Sequence, residues 1–414
     1  MDKLILYGRR DAAEVYPIRE FLRRSVVDFD WIEVNDDNRT EGSSVASPFT
    51  KNTMAAIKFP DGEMVVNPTV EQIARHLGWI KKPSRQEYDL SIYGAGPAGL
   101  SAAVYAASEG LRTILVEKEA MGGQAGTSSL IENYMGFPKG ISGAELAERA
   151  RQQALKFGVE ILLLSEGIKG SFHGNRMHVD LANGDKMVAK ANICATGIEY
   201  AKLNVPGEAL FFNKGVYYGA GMGEACFCKG RSVFIIGGGN SAGQAASYFS
   251  GFASRVYMVI RKDNLAETLS DYLLKRITNI PNIEILYNSE VKELEGHNVL
   301  ERIRIYNSAN GTDTWHDTGK LFICIGGKPN TEWASETAII RDVNGYLITG
   351  SDLTGRTGFA ECWQHDRPPY HLETSMAGSF AAGDVRFNSV KRVASAVGEG
   401  AMAVTMVHKY LSEL

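Results

Sequence analysis

The sequence predicts an α/β fold built on two strand–glycine turn–helix units that stand behind a separate, smaller α/β module. Three observations carry this. Residues 88–100, Tyr-Asp-Leu-Ser-Ile-Tyr-Gly-Ala-Gly-Pro-Ala-Gly-Leu, run a short apolar strand straight into a glycine-rich turn and a helix. Residues 232–242, Ser-Val-Phe-Ile-Ile-Gly-Gly-Gly-Asn-Ser-Ala, do the same. The first 80 or so residues alternate strand and helix signals with neither motif.

The first glycine turn reads as a dinucleotide cradle. Gly94 permits the tight turn, Gly96 has no side chain to keep a pyrophosphate away, and Gly99 lets the helix that begins near Pro97 and Ala98 pack closely on the strand. The helix N-terminus offers unpaired N–H groups and the positive dipole end, worth about 0.3–1 kcal/mol per anionic charge at exposed sites. After the helix, Ala98 to Glu109 with Gly110 as its stop, the strand Thr113–Lys118 carries Glu117, placed to accept hydrogen bonds from an adenosine ribose.

Composition excludes several classes. The chain has 414 residues, enough for two or three domains. A formal net charge of −4 without a basic run leaves no electrostatic footprint for nucleic acid. No apolar stretch approaches the roughly 18 residues that span a bilayer, and the start Met-Asp-Lys-Leu-Ile-Leu-Tyr is not a signal peptide, so a cytoplasmic protein is expected. The five cysteines all lie at or beyond Cys194, which argues against a disulfide framework. No residue set points to a metal.

In chain order, Leu4–Tyr7 reads as a strand, Tyr16–Ser25 as a helix, Phe29–Val34 and Met54–Phe59 as strands, Pro60–Gly62 as a turn, Met64–Val66 as a strand, and Thr69–Leu77 as a helix ended by Gly78. This layout over residues 1–80 resembles the thioredoxin and glutaredoxin fold. Its motif is missing: Asp11-Ala-Ala-Glu-Val15 stands where such domains carry Cys-x-x-Cys, and Thr53-Met-Ala-Ala56 lacks their proline. A module without thiols cannot exchange disulfides. Residues 81–87, polar with one proline, read as a linker.

The ordered series GAGPAGL, EKE, GGQ, IENYMGFP, GISGAELAERARQQALKFG, CATG, GGGNSA, IGGKPNT and AAGDVR, from about Tyr88 to the C-terminus, resembles the low-molecular-weight thioredoxin reductase family of flavoproteins. The resemblance implies two doubly wound nucleotide-binding domains, an FAD domain of residues 88–200 and 328–414 and an NADPH domain of residues 201–327 inserted into it. It also implies a homodimer. For FAD it adds Lys118 beside Glu117, then Gly123, Gln124 and Asn133 near the isoalloxazine and ribityl chain. Ala195, Thr196 and Gly197 end a strand that returns under the cofactor, and Gly383 and Asp384 meet the ribityl or pyrophosphate region. Lys391, Arg392 and Val393 open a helix whose N–H groups face the flavin pyrimidine. Around the flavin edge, the N-terminal module's expected jobs are docking, dimer contact or cover.

The second cradle supplies Gly237, Gly239, Asn240, Ser241 and Ala242, with Ala242 in the third-glycine position, and Gly326 belongs to the same NADPH set. The next strand, Arg255–Ile260, ends in Arg261 and Lys262 instead of an acid. Two cations there favour a 2′-phosphate, hence NADPH over NADH. Ile260 and Ala266 replace the outer members of the family's cationic motif, which weakens the preference.

Disulfide-reducing members carry a Cys-x-x-Cys shortly before the second cradle. Aligned on Gly215-Val-Tyr-Tyr218, this chain has Gly219-Ala-Gly-Met222 instead. Cys226-Phe-Cys228 lies nearby with one intervening residue, and on a helix the two thiols would point about 200° apart. Cys194 and Cys324, inside apolar strands, read as core, and Ser351–His371 as a long loop without chemistry. The expected activity is hydride transfer from NADPH to FAD, with direct onward transfer to a small electron-acceptor protein or a small-molecule oxidant and no confident catalytic side chain. Two alternatives stay open: a thioredoxin-disulfide reductase using Cys226 and Cys228, and a flavin-binding redox sensor or docking protein. The second cradle with its paired cations counts against the sensor.

Overall fold

Leu4, Leu6 and Gly8 point inward on alternate positions, so the first strand is buried at every second residue. In the computed structural model, which describes residues 3–9, 12–34, 53–174, 176–219 and 221–414, this strand is β1 (Leu4–Gly8). It is followed by α1 (Val15–Arg24), β2 (Phe29–Glu33), β3 (Ala55–Lys58), β4 (Met64–Val66) and α2 (Val70–His76). The sheet order is β2-β1-β3-β4, with β1 parallel to β2 and antiparallel to β3. These elements agree with the sequence reading to within one or two residues; Asp11, and Ala220 further on, lie outside the described residues. A reciprocal capping box starts α2: the Thr69 hydroxyl accepts from the Gln72 N–H at 3.1 Å, and the Gln72 side chain accepts from the Thr69 N–H at 2.9 Å.

The chain continues with β5 (Glu87–Tyr93), α3 (Pro97–Ser108), β6 (Thr113–Glu117), α4 (Gly143–Lys156) and β7 (Glu160–Leu163). Then come β8 (Gly167–His173), β9 (Arg176–Leu181), β10 (Lys186–Cys194), the short β11 (Ile198–Tyr200), α5 (Glu208–Phe211) and β12 (Val216–Tyr218). A nucleotide-fold run follows: β13 (Ser232–Ile236), α6 (Asn240–Ser250), β14 (Arg255–Val259), α7 (Asp271–Thr278) and β15 (Ile283–Leu286). A meander of β16 (Ser289–Gly296), β17 (Leu300–Asn307) and β18 (Asp313–Asp317) precedes β19 (Leu321–Ile323) and β20 (Gly327–Pro329). The chain closes with α8 (Phe359–Cys362), β21 (Ser379–Ala381) and the long α9 (Val393–Ser412).

Two compact units result. One comprises Met1–Ile73, Thr127–Leu130 and Tyr200–Gly326; the other comprises Ala74–Gly126, Ile131–Glu199 and Gly327–Leu414. The second unit holds a sheet in the order β7-β6-β5-β10-β9-β8, with β21 beside β10. Its strands β5, β6, β7, β10 and β21 are parallel. Leu90, Ile92, Ile114 and Leu115 are fully buried, the continuous apolar run that a sheet covered on both faces requires. Helix α9 lies on α3 so closely that a Cβ at Gly400 would stand 2.1 Å from the Ala98 carbonyl oxygen, and the Ser101 hydroxyl donates to the Val397 carbonyl at 2.7 Å.

The first unit's five-stranded sheet runs β12-β19-β13-β14-β15, every neighbouring pair parallel. Phe249, Phe322 and Tyr217 pack in its core beside the small residues of α6. The doubly wound reading therefore holds for both parallel sheets. No helix among the described residues is long and apolar enough to cross a membrane.

Candidate functional site

Each parallel sheet ends in its cradle. At the end of β5, Gly94 has φ +98°, and a Cβ there would lie 2.4 Å from the Ala195 carbonyl oxygen. A Cβ at Gly99 would fall 1.8 Å from the Gly94 carbonyl oxygen, so the first turn of α3 sits against the strand end. Gly96 differs: it is extended, caps α3 ahead of Pro97, and its nearest neighbour to a new Cβ is the Gly123 Cα at 4.0 Å. The space in front of Gly96 is open, and the N–H groups at the start of α3 face it.

The other sequence-predicted residues of this site largely gather there. Glu117 is buried; one carboxylate oxygen accepts from the Ala95 N–H at 2.7 Å and the other from the Glu119 N–H at 2.8 Å. The Gln124 amide donates to the Ile198 carbonyl at 2.7 Å, and the Thr196 hydroxyl to the Asn330 carbonyl at 2.8 Å, next to Gly197 with φ +65°. A Cβ at Gly383 would stand 2.9 Å from the Ala98 Cβ. Arg392 caps α9, Val393 begins it, and the Lys391 ammonium donates to the Asp384 carbonyl at 2.7 Å. Lys118 pairs with Glu199 at 2.6 Å, next to the Ile198 that Gln124 reaches, and Asn133 is exposed in its loop.

Glu399 escapes sequence reading. It accepts from the Gly383 N–H at 2.7 Å and pairs with Arg386 at 2.6 Å, fixing the turn that carries Asp384. Only the helical register of α9 brings it there, so no local motif announces it.

The Asp384 carboxylate accepts no hydrogen bond among the described residues, and burial holds its pKa above the ordinary aspartate range, with Lys391 opposing and Glu399 adding to the rise. The native state thus holds this proton more tightly than the unfolded chain does, so stability is lost as pH rises through the carboxylate range. Asp384→Asn removes that penalty. The variant without ligand is expected to melt no lower than wild type at neutral pH, and the difference should shrink as pH falls through the carboxylate range, vanishing at about pH 3, where both states are protonated; thermal unfolding at the two pH values measures it.

In the first unit, Gly237 closes on the Cys324 carbonyl oxygen, which a Cβ would approach to 2.2 Å, whereas nothing lies within 4 Å of a Cβ at Gly239. Asn240 and the exposed Ser241 open α6, and Ala242 is fully buried, as close helix–strand packing demands. The Asn240 side-chain amide oxygen accepts from the Ser270 N–H at 2.8 Å, while Gly326 is exposed beyond β19. Arg261 and Lys262 are both exposed beyond β14, and Lys262 is paired at 2.9 Å with Glu267, a carboxylate the sequence reading left out.

Cys226 and Cys228 lie on a short 3-10 turn, Met222–Cys228, and not on the regular helix for which the 200° rotation holds. At three residues per turn their side chains point about 120° apart. Cys226 is exposed; Cys228 is fully buried, its thiol donating to the Glu224 carbonyl at 3.2 Å. Burial pushes the Cys228 thiol up to about 11 and those of Cys194 and Cys324 to about 12.

Comparison with known proteins follows this geometry. The family described as pyridine nucleotide-disulphide oxidoreductase matches residues 88–400. The thioredoxin reductase of Bacillus subtilis is 34% identical over 328 residues, 79% of this chain and 96% of that protein. That of Ureaplasma parvum is 32% identical, covering 80% and 98%. The crystal structure of Lactococcus lactis thioredoxin reductase superposes with a TM-score of 0.70 at 30% identity, over 79% of this chain and all of that one.

Proposed function

Since the chain belongs to the pyridine nucleotide-disulphide oxidoreductase family, among the thioredoxin reductases, we propose that its electrons leave directly from the flavin for a small acceptor protein or small-molecule oxidant, without a relay through Cys226 and Cys228. It is an NADPH-dependent flavin oxidoreductase, and FAD and NADPH are the cofactors of the family. When bound, FAD supplies acceptance of hydride from NADPH and onward delivery of its electrons.

The second unit's cradle fits FAD. It is walled by backbone at Gly94 and Gly99, open at Gly96, and flanked by the Asp384 carboxylate, which has acceptor capacity to spare for ribityl or phosphate-side donors. Glu117, buried and aimed by the Ala95 and Glu119 N–H groups, is the carboxylate this reading places toward the ribose hydroxyls. The first unit's cradle would hold NADPH on the N–H groups of α6, with Arg261 and Lys262 toward the 2′-phosphate. The protein's own work is to hold, orient and keep water away. A cytoplasmic homodimer is part of this reading, following the family resemblance.

The placement of Cys228 carries the proposal. A relay needs both thiols to meet each other and the outside, and one of this pair is sealed in the core. A second reading, a thioredoxin-disulfide reductase using Cys226 and Cys228, is favoured by the relatives' names and by the exposure of the Cys226 thiol. Anaerobic bleaching of the flavin by NADPH, then reoxidation by thioredoxin, ferredoxin, a quinone and O₂ in turn, separates the two. Cys226→Ser is expected to keep every reoxidation rate within about twofold of wild type, less than ~0.5 kcal/mol in barrier. Rapid reoxidation by thioredoxin that vanishes in Cys226→Ser would install the second reading.

A further inference from the structure

Within the first unit, α1 of the N-terminal module lies against the turn Met222–Cys228. Glu224, wholly buried, is held from both sides: the Arg19 guanidinium donates to one of its oxygens and the Lys320 ammonium to the other at 2.5 Å, while Lys320 also reaches the Tyr217 hydroxyl at 3.1 Å. Arg19 and Lys320 are 4% and 1% exposed, so all three charges are out of water. Among the described residues the Nε and Nη1 atoms of Arg19 have no hydrogen-bond acceptor; the guanidinium instead lies over Phe227 at 4.5 Å and Trp31 at 5.3 Å. Glu20 accepts from the Gly223 N–H at 3.0 Å, and Tyr16 packs on Tyr217 with ring centroids 4.8 Å apart.

We propose that the N-terminal module is a latch: α1 and Trp31 dock on the Met222–Cys228 turn and keep it folded over the Cys228 thiol, so that undocking the module is what would expose that thiol. A 3-10 turn of seven residues has little stability of its own. Its outward N–H at Gly223 and the Phe227 ring are both satisfied by the module, and its central carboxylate bridges a cation from each side. Removing one partner of such a buried group leaves uncompensated charge, whereas replacing the whole group by apolar residues of similar volume need not.

The test uses the full-length holoprotein and needs no electron acceptor, so its outcome is separate from that of the direct-transfer proposal. Alkylation of each cysteine by iodoacetamide is followed by peptide mass spectrometry, alongside hydrogen exchange of residues 15–24 and 222–228. Arg19→Ala is expected to speed Cys228 labelling at least tenfold and to loosen both segments together, with Cys194 and Cys324 still protected. The triple variant Arg19→Met, Glu224→Leu, Lys320→Met is expected to bring both readouts back toward wild type. Unchanged Cys228 labelling in Arg19→Ala would overturn the latch, as would labelling of Cys324 at the same pace as Cys228, which reports unfolding of the whole unit.

Discussion

Gly96→Ala is expected to fold with wild-type stability and to lose FAD affinity by about 100-fold, while Gly99→Ala is expected to lose the fold around α3 itself. The two glycines belong to one motif and stand three residues apart, yet their surroundings differ. A methyl on Gly99 would be driven to 1.8 Å from the Gly94 carbonyl oxygen. Backbone on both sides cannot give way as a side chain would, so α3 must move off β5, a shift that costs at least the 1–3 kcal/mol or so of ordinary overpacking. Gly96 has φ −72° and ψ −177°, which alanine adopts freely, and no atom nearer than 4.0 Å meets its new methyl. That methyl intrudes only where a pyrophosphate must approach the α3 N–H groups. Losing about 3 kcal/mol of phosphate contact corresponds to roughly 100-fold in affinity. Flavin absorbance per protein after gel filtration reports binding, and the melting curve of the flavin-free protein reports the fold. A Gly96→Ala protein that keeps its flavin would remove the pyrophosphate from this cradle.

The difference between these glycines also shows how far the sequence could be read. Both cradles were legible because the turn, the close approach and the helix contact each demand a small residue at a fixed spacing. The doubly wound, parallel character of both sheets followed from the same units, and the core places of Cys194 and Cys324 from their apolar strands. What stayed hidden depends on pairs far apart in sequence. Arg19 reads as one more charge on an amphipathic helix, and neither Glu224 nor Lys320 carries a motif; only the fold brings together groups separated by 205 and 96 positions. Glu399 is hidden for the same reason. The tight winding of the Met222–Cys228 turn was not legible either, because no local motif in the segment separates 3-10 from regular helical geometry.

Arg261→Ala combined with Lys262→Ala is expected to raise KM for NADPH by roughly 100-fold and to change KM for NADH less than about threefold, erasing the preference. Each charge-assisted contact to a 2′-phosphate contributes about 1.5–3 kcal/mol, and the bare ribose hydroxyl of NADH has no charge to answer them. The two cations do not start equal. Lys262 is held at 2.9 Å by Glu267, and both partners are more than half exposed, so this is a surface pair worth only about 0–1 kcal/mol that the phosphate can displace. Glu267 nevertheless adds a negative charge beside the incoming phosphate. Glu267→Gln should therefore lower KM for NADPH several-fold in dilute buffer, with the gain fading as salt approaches the ~0.15 M that screens exposed charges beyond about 8 Å. Steady-state rates of flavin reduction with each nucleotide at two ionic strengths test both halves. Equal losses for NADPH and NADH in the double variant would mean that these cations hold the pyrophosphate or the fold, and that the 2′-phosphate is read elsewhere.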